Sequence, residues 1–227
     1  MKKQILTSAL LSIALISFVQ AQTGVHFGLK AGYSMATQYG ITPAEDIYTI
    51  ETSVRNGFSG GIFLYFPISE AVGIQQEILY AMKGSSQDVS ISEPIPINTV
   101  SDYELNYLDM PILIKYRFVK IKSVGIYGST GIAMSLLLNG EYTVNSTIDL
   151  GGPPVIVQQS GELEGFDTFD YSFVYGAGAD FKLFGMDFFL DFRFTLGFNT
   201  LEMPTVEGEQ TVPLRNQNYV FALGVVF

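Results

Sequence analysis

In several apolar segments of the sequence, all acidic and basic side chains fall on one of the two sets of alternate positions. Each such set of every second residue is called a parity here. Within residues 107–118, YLDMPILIKYRF, Asp109, Lys115 and Arg117 fall on one parity, and the alternate positions are apolar. Carboxylates and cations held in one such row could pair with one another, or could guide ions along a path. The residues on the charged parity of this segment and its counterparts are Lys30, Glu77, Asp109, Lys115, Arg117, Asp180, Lys182, Asp187, Asp191 and Arg193.

The alternation identifies the elements that must carry these charges. A β-strand points successive side chains to opposite faces, so residues 107–118 predict a strand with one apolar face and one charged face. The segment exceeds the about 5–6 residues of an ordinary strand. It suits a tilted transmembrane strand, which needs about 9–11 residues. Eight segments share the pattern: 25–35, 56–66, 72–83, 107–118, 124–138, 169–183, 186–199 and 218–227.

The connections between these segments alternate in length. Short ones span 67–71, 119–123 and 184–185, and long ones, rich in Gly, Pro, Ser and acidic residues, span 36–55, 84–103, 139–168 and 200–217. An even strand number with short turns on one side and long loops on the other is typical of an outer-membrane barrel. The sequence therefore predicts an all-β fold. It is an eight-stranded antiparallel up-and-down transmembrane β-barrel with short periplasmic turns and long extracellular loops.

The N-terminal residues are typical of a secretory signal peptide. Lys2 and Lys3 precede an apolar stretch, 5–19, which is shorter than the about 20 residues of a spanning helix. Val19 and Ala21 supply small residues at the expected cleavage positions. We expect residues 1–21 to be a cleaved signal peptide, and residues 22–227 to form one barrel domain in the bacterial outer membrane.

The chain is acidic and lacks cysteine. Its net charge of −10 becomes about −12 without the two N-terminal lysines. An acidic chain does not suit nucleic acid, which calls for a basic patch. With no cysteine, the exported chain has no disulfide, no cysteine-ligated metal and no lipid anchor on cysteine.

Glycine indicates which face of the strands points inward. A soluble lipocalin-like barrel would put the apolar parity inside, whereas a transmembrane barrel turns it toward lipid. Nearly all strand glycines, Gly28, Gly61, Gly125 and Gly176 among them, lie on the polar parity. Glycine is expected where space is tight, and a small barrel has just enough room for its interior side chains. We therefore expect the charged parity to line the lumen.

The turn at 184–185 and the proline at position 111 allow two local predictions. If residues 184–185 form a two-residue turn, Lys182 lies opposite Asp187 and Gly176 lies opposite Arg193. Pro111 cannot donate to a ladder, and a closed barrel has no edge to accommodate it. We therefore expect a bulge or a local break in pairing at Pro111.

Charges inside a narrow lumen must be paired, and such a lumen leaves no wide aqueous channel. Two interpretations remain open: a gated ion path, or a polar plug that satisfies itself and holds the barrel in register. We favour the plug. The proposed role is then structural or interaction-based, through the extracellular loops or contacts with envelope proteins. The alternatives are a narrow channel or transporter, or an accessory subunit of a secretion system.

Short motifs accompany the alternation. They are FGLKAG at 27–32, NGFSGG at 56–61, QEILY at 76–80, YLDMP at 107–111 followed by KY at 115–116, and YGAG at 175–178. In these motifs the chain resembles the small outer-membrane β-barrels of Bacteroidetes, the PorT-like outer membrane protein beta-barrel domain group. The resemblance covers the mature chain and implies its fold and location. The link of PorT itself to type IX secretion does not carry over through these motifs.

The last strand resembles the aromatic-ended signal that the barrel-assembly machinery reads. The expected partners are therefore outer-membrane lipid, that machinery during biogenesis, and an envelope protein complex, with no nucleic acid. The residues of this expected assembly signal are Tyr219, Phe221, Leu223, Val225 and Phe227.

Enzymatic chemistry has little support in the sequence. There is no phosphate loop, no metal-ligand spacing and no nucleophile elbow. Barrel enzymes that act on lipid typically need a histidine base near the outer leaflet. His26, the only histidine, begins the first segment on the short-turn side. We expect no enzymatic activity, no catalytic residue, no cofactor and no metal.

Overall fold

The computed structural model describes residues 24–40, 48–91, 95–163, 169–199, 201–202 and 213–227. The expected signal peptide, residues 1–21, lies outside the described residues. No helix in the described ranges is long and apolar enough to cross a membrane. The strands are β1 (His26–Gly40), β2 (Tyr48–Pro67), β3 (Val72–Ile91), β4 (Ile97–Ile121), β5 (Val124–Ile148), β6 (Val155–Glu162), β7 (Phe169–Leu183), β8 (Met186–Gly197), β9 (Leu201–Glu202) and β10 (Pro213–Val226).

Eight of these strands close into a ring. Each pairs antiparallel with its neighbours in the order β1-β2-β3-β4-β5-β7-β8-β10, and β10 pairs back with β1. The closing ladder runs from Gly28 opposite Val226 to Gly40 opposite Leu214. β6 lies outside the ring and pairs with β5, and the two-residue β9 pairs with β10. The predicted all-β, eight-stranded, up-and-down barrel is confirmed.

The turn between β7 and β8 is the predicted two-residue turn. Phe184 and Gly185 both have positive φ, 51° and 79°. That is the requirement of a type I′ turn, whose twist matches the flanking strands. The turn sets the register that the sequence predicted, with Lys182 opposite Asp187 and Gly176 opposite Arg193.

The apolar parity faces outward and the polar parity faces the lumen, as predicted. Along β4, Ile112 and Ile114 are exposed on the outer surface, whereas Leu113 between them is fully buried. Along β1, Leu29 is exposed and Lys30 is buried. A ring whose outer surface is apolar requires lipid around it, so the lipocalin-like alternative is excluded.

Several inward-facing glycines make room for aromatic rings on the neighbouring strand. Gly28 lies opposite Phe63, and a Cβ on Gly28 would come within 2.1 Å of that ring. Gly224 lies opposite Phe189, and a Cβ there would again come within 2.1 Å of the ring. The two rings meet edge to face at a centroid distance of 5.3 Å. Each glycine therefore supplies the space that a lumen ring fills.

Pro111 interrupts the ladder between β3 and β4. The pairing runs to Gln76 opposite Ile112 and resumes at Leu79 opposite Asp109, with the register unchanged. The proline has no N–H to donate at this point. The predicted local break in pairing is confirmed, without a bulge on this side.

The strands extend much further than predicted on the long-connection side. We expected loops at 84–103 and 139–168, but β3, β4, β5 and β6 occupy most of these residues. β4 and β5 pair there from Asn106 opposite Asn139 to Ile97 opposite Ile148. This part of the ladder is about 30 Å long at about 3.3 Å per residue. These residues were predicted to be loops because they are rich in Ser, Asn and acids. Strands that stand in water need no apolar face, so this composition does not exclude them.

The extensions of β2–β5 together with β6 form one antiparallel sheet beyond the ring, here called the extracellular sheet. It is continuous with one half of the barrel wall. Short turns face the periplasm in barrels of this kind, so the sheet stands on the outer side.

We predict that Gly224→Ala destabilises the barrel by about 1–3 kcal/mol, because its Cβ would overlap the Phe189 ring. Phe189→Ala should lose less stability in a Gly224→Ala background than alone, because it removes the ring with which the new Cβ clashes. The measurement is denaturant unfolding in micelles followed by circular dichroism. Gly152→Ala, where a Cβ would meet nothing within 4 Å, is the neutral control. Equal losses at both glycines would contradict this packing.

Candidate functional site: the packed lumen

Four charged side chains meet at the centre of the lumen. Arg193 holds Glu77 through two contacts, Nη1 to Oε2 at 2.5 Å and Nη2 to Oε1 at 2.7 Å. Lys30 Nζ donates to Asp191 Oδ2 at 2.8 Å and lies 3.6 Å from Glu77 Oε2. The four side chains are at most 5% exposed. Two cations therefore balance two carboxylates out of reach of bulk water, here called the central cluster.

The central cluster crosses the barrel. Glu77 lies on β3 and Arg193 on β8, which stand four positions apart in the ring of eight and are therefore diametrically opposite. The bidentate geometry fixes both side chains as well as attracting them. Gln75 Nε2 also donates to Glu77 Oε1. Arg193 Nε lies 2.7 Å from Asp191 Oδ2 without the alignment of a hydrogen bond.

Two polar layers lie above the central cluster, toward the extracellular side. In the lower one, Lys83 Nζ contacts Asp109 Oδ1 at 2.9 Å and Ser135 Oγ at 3.0 Å. In the upper one, Asn216 Nδ2 donates to Asp170 Oδ2 at 2.9 Å and to Tyr107 Oη at 3.3 Å. The Asn216–Tyr107 contact joins β10 to β4, which are also diametrically opposite. Side chains therefore span the lumen at more than one height.

Aromatic rings lie below the central cluster, toward the periplasmic side. Phe63, Tyr127 and Phe189 form a buried group there. Lys115 Nζ lies 3.7 Å from the Tyr127 ring centroid and 5.1 Å from that of Phe189. Lys115, expected in the charge network, therefore meets rings, and no carboxylate oxygen among the described residues lies within 4 Å of its Nζ.

The remaining expected lumen charges lie at the periplasmic mouth. Arg117 Nη2 contacts Asp180 Oδ2 at 3.3 Å, and both side chains are about one-third exposed. Lys182 Nζ lies 3.3 Å from Asp187 Oδ2, with both side chains more than half exposed. These last two are paired as expected but do not lie inside the lumen, because they flank the tight turn between β7 and β8.

Several lumen residues lie outside the sets predicted from the sequence. Phe63 and Phe189 escaped because each stands between two outward apolar residues, although its parity is the inner one. Asp170 lies at the start of the predicted segment 169–183, and Asn216 lies in the predicted connection 200–217. The sequence signal that could have indicated two inward-facing rings was the pair of polar-parity glycines, Gly28 and Gly224, which lie opposite them.

The expected assembly residues all belong to the outward face or end of the last strand. Phe221, Leu223 and Phe227 are about half exposed or more. Phe227 stacks on Phe27 of β1 at a centroid distance of 6.1 Å, and its N–H donates to the Phe27 carbonyl at 2.7 Å. Tyr219 and Val225 share this outward parity and are partly exposed. The final residues therefore help close the ring at its periplasmic rim.

Little free space remains at mid-barrel. The void there, lined by Lys30, Asp109 and Arg193 among others, measures ≈ 20 Å³. That is room for about one water molecule. Below it, the periplasmic mouth holds a cavity of ≈ 470 Å³ that includes His26 at its rim.

A closed ring of eight strands with an apolar outer surface and a filled polar interior defines a small transmembrane β-barrel. The chain belongs to the outer membrane protein beta-barrel domain family, whose model matches residues 20–202. It is a protein of the bacterial outer membrane.

Solved structures of other small outer-membrane proteins resemble the chain at low identity. Ail of Yersinia pestis is 13% identical over 90% of this chain and 100% of its own, with a TM-score of 0.39. The Neisserial surface protein A is 14% identical over 90% and 100%, with a TM-score of 0.42. OprG of Pseudomonas aeruginosa is 10% identical over 92% and 99%, with a TM-score of 0.44. No curated protein matches the sequence.

We predict that Glu77→Leu lowers the free energy of unfolding by about 3–5 kcal/mol, because it leaves an uncompensated cation in the lumen. The double variant Glu77→Leu/Arg193→Met should be more stable than Glu77→Leu alone, since Lys30 and Asp191 then still balance. Gel shift of unheated samples and denaturant unfolding measure both effects.

Glu104→Leu serves as the control for this prediction. Glu104 pairs with Arg55 at 2.5 Å, but on the partly exposed extracellular part of the wall. Its loss should cost less than about 1 kcal/mol. A double variant no more stable than the single one would refute the charge balance of the central cluster.

Proposed function

We propose that this outer-membrane barrel is closed to solutes and works through contacts that its extracellular sheet makes with envelope proteins. The observation that carries the first half is the central cluster. Its Glu77–Arg193 contact spans opposite walls at 2.5 and 2.7 Å, where a conducting path would have to pass. Eight-stranded barrels have interiors just wide enough for their side chains to fill. The packing thus supports a polar plug over a narrow channel or transporter.

The extracellular sheet supports the second half of the proposal. Its strand β6 pairs with β5, and no other described strand pairs with the opposite edge of β6. Val155, Ile156 and Val157 on that strand are exposed, Ile156 by 70%. An unprotected edge of this kind is a template for an added strand, and main-chain hydrogen bonds then supply affinity. The occupant proposed here is an extended segment of another envelope protein.

This role agrees with the kinship to PorT-like barrels suggested by the motifs, and with an accessory subunit of a larger complex. Outer-membrane lipid and the barrel-assembly machinery are the other proposed partners. We propose no enzymatic activity. The ring of His26 stacks on Tyr65 at a centroid distance of 6.3 Å, at the periplasmic mouth. That position is remote from the outer leaflet, where lipid-modifying chemistry would need a base.

We predict that the wild-type barrel gives no discrete conductance steps in a planar bilayer. Glu77→Ala/Arg193→Ala/Tyr107→Ala should give small steps, because the Glu77–Arg193 and Tyr107–Asn216 contacts that cross the lumen are then gone and water can enter. Arg55→Ala/Glu104→Ala removes an ion pair of the same kind outside the lumen and should stay silent. Discrete steps from the wild type would overturn the closed-lumen half of the proposal and favour the channel.

We predict that Ile156→Lys abolishes crosslinking of the barrel to its partner in intact cells, because a charge on an edge strand blocks strand addition. Leu150→Lys is the matched control. Leu150 is a comparably exposed apolar residue, 64%, in the connection just before β6. The same crosslinked species in the wild type and in both variants would argue against β6 as the docking edge.

A further inference from the structure

We propose that the periplasmic mouth of the barrel is a binding site for a small amphipathic anion, a carboxylate or phosphate carrying an apolar ring or chain. The site, here called the vestibule, is the cavity of ≈ 470 Å³ at the short-turn end. It lies on the opposite side of the membrane from the extracellular sheet, so it does not depend on the function proposed above. Its volume falls within the about 300–1,000 Å³ of small-molecule sites.

The inner end of the vestibule is aromatic. Phe63, Tyr65, Tyr127 and Phe189 line it. Gly28, opposite Phe63, and Gly224, opposite Phe189, leave the space that those rings occupy. The rings present an apolar floor below the central cluster. A ligand that reaches this floor can bury a ring or a short chain against it.

The walls of the vestibule carry an excess of positive charge. Five cationic side chains line the cavity with two carboxylates, although the whole chain carries a net charge of −10. Asp180 and Asp187 each already contact one cation, at 3.3 Å. Three lysines remain in excess. They are Lys115, Lys120 and Lys122.

A β-bulge brings one of these lysines to the vestibule. The register of β4 against β5 shifts between Arg117 and Val119, and Lys120 then lies opposite the inward-facing Gly125. Strict alternation from Arg117 would have put Lys120 on the lipid side. Bulges near binding sites commonly re-aim a side chain in this way. Lys120 therefore owes its place beside Arg117 to a specific backbone irregularity.

The turn after β4 holds the second lysine in an uncommon conformation. Lys122 has a φ of 54°, in the left-handed region that favours glycine. Residues other than glycine adopt this conformation at an energetic cost, and such positions cluster at ligand sites. Here the turn brings a cation to the rim of the vestibule, where asparagine or glycine would have fitted the backbone more easily.

The third lysine meets the floor itself. Lys115 Nζ lies 3.7 Å from the Tyr127 ring centroid, and among the described side chains no carboxylate oxygen lies within 4 Å. Ring faces attract the cation but do not neutralise it. An anion entering the vestibule would neutralise it, and the apolar part of the same ligand would contact the surrounding rings. This combination points to an amphipathic anion rather than a simple inorganic one.

The chemistry fits two sources, a dissolved periplasmic solute or the anionic headgroup of an inner-leaflet lipid. The test uses the full barrel in phosphatidylcholine nanodiscs and 4-fluorophenyl phosphate as a ¹⁹F NMR probe. We expect its line to broaden on binding, and 4-fluorophenol, which has the ring without the charge, to remain sharp. Inorganic phosphate should compete weakly, because it lacks the ring.

Variants at the rim locate the site. Lys120→Gln/Lys122→Gln should weaken probe binding by at least about tenfold, the value of one charge-assisted contact. Arg215→Gln removes one exposed charge at the opposite end of the barrel and should leave binding unchanged. The heat-induced gel shift of each variant checks that the ring has formed.

Phosphatidylglycerol added to the nanodiscs distinguishes the sources. Displacement of the probe would identify a lipid headgroup as the natural occupant, and no displacement would identify a dissolved anion. The proposal fails if the probe does not broaden with wild-type protein, if 4-fluorophenol binds equally, if inorganic phosphate competes as well as the probe binds, or if the folded lysine double variant binds like the wild type.

Discussion

The narrowness of a ring of eight strands is the constraint on which the rest of this molecule depends. Strands on opposite walls stand so close that one bidentate contact, Glu77 with Arg193, joins them. Polar layers lie above this contact, and aromatic rings lie below it. A one-residue slip of any strand would exchange its lipid and lumen faces. The filled lumen therefore fixes the register of the wall as well as closing the passage through it.

The period-two pattern was enough to predict the ring, because every strand of a transmembrane barrel must alternate between lipid and lumen. It also predicted which charges share the lumen side. It could not predict partners across the lumen, since these depend on the relative heights of strands that are distant in sequence. Lys115 illustrates the limit. Its parity was clear from the sequence, but only the structure brings its Nζ over the Tyr127 ring, with the carboxylate oxygens of Glu77 and Asp191 beyond 4 Å.

The extracellular sheet was missed for a different reason. Both of its faces mix polar residues, such as Asn98 and Ser146, with apolar ones, such as Val100, so no continuous apolar row marks it in the sequence. Outside the bilayer the ladder continues because backbone hydrogen bonds and β-branched residues favour it, whichever medium surrounds the side chains. The membrane thus imposes alternation on the segments that cross it. The extensions outside the bilayer have no such constraint, so their sequences show no regular alternation.

The lengths of the strands differ between the two halves of the ring, so the barrel is asymmetric in the plane of the membrane. β2 to β5, 20 or 25 residues long, form one half of the ring, while β1, β7, β8 and β10, 12 to 15 residues long, form the other. The longer strands extend further on the extracellular side than the shorter strands. A neighbour that diffuses in the bilayer meets the longer strands from one direction and the shorter strands from the other. Lateral encounters are therefore unequal around the barrel, and an assembly built on this chain would have a defined rotational orientation.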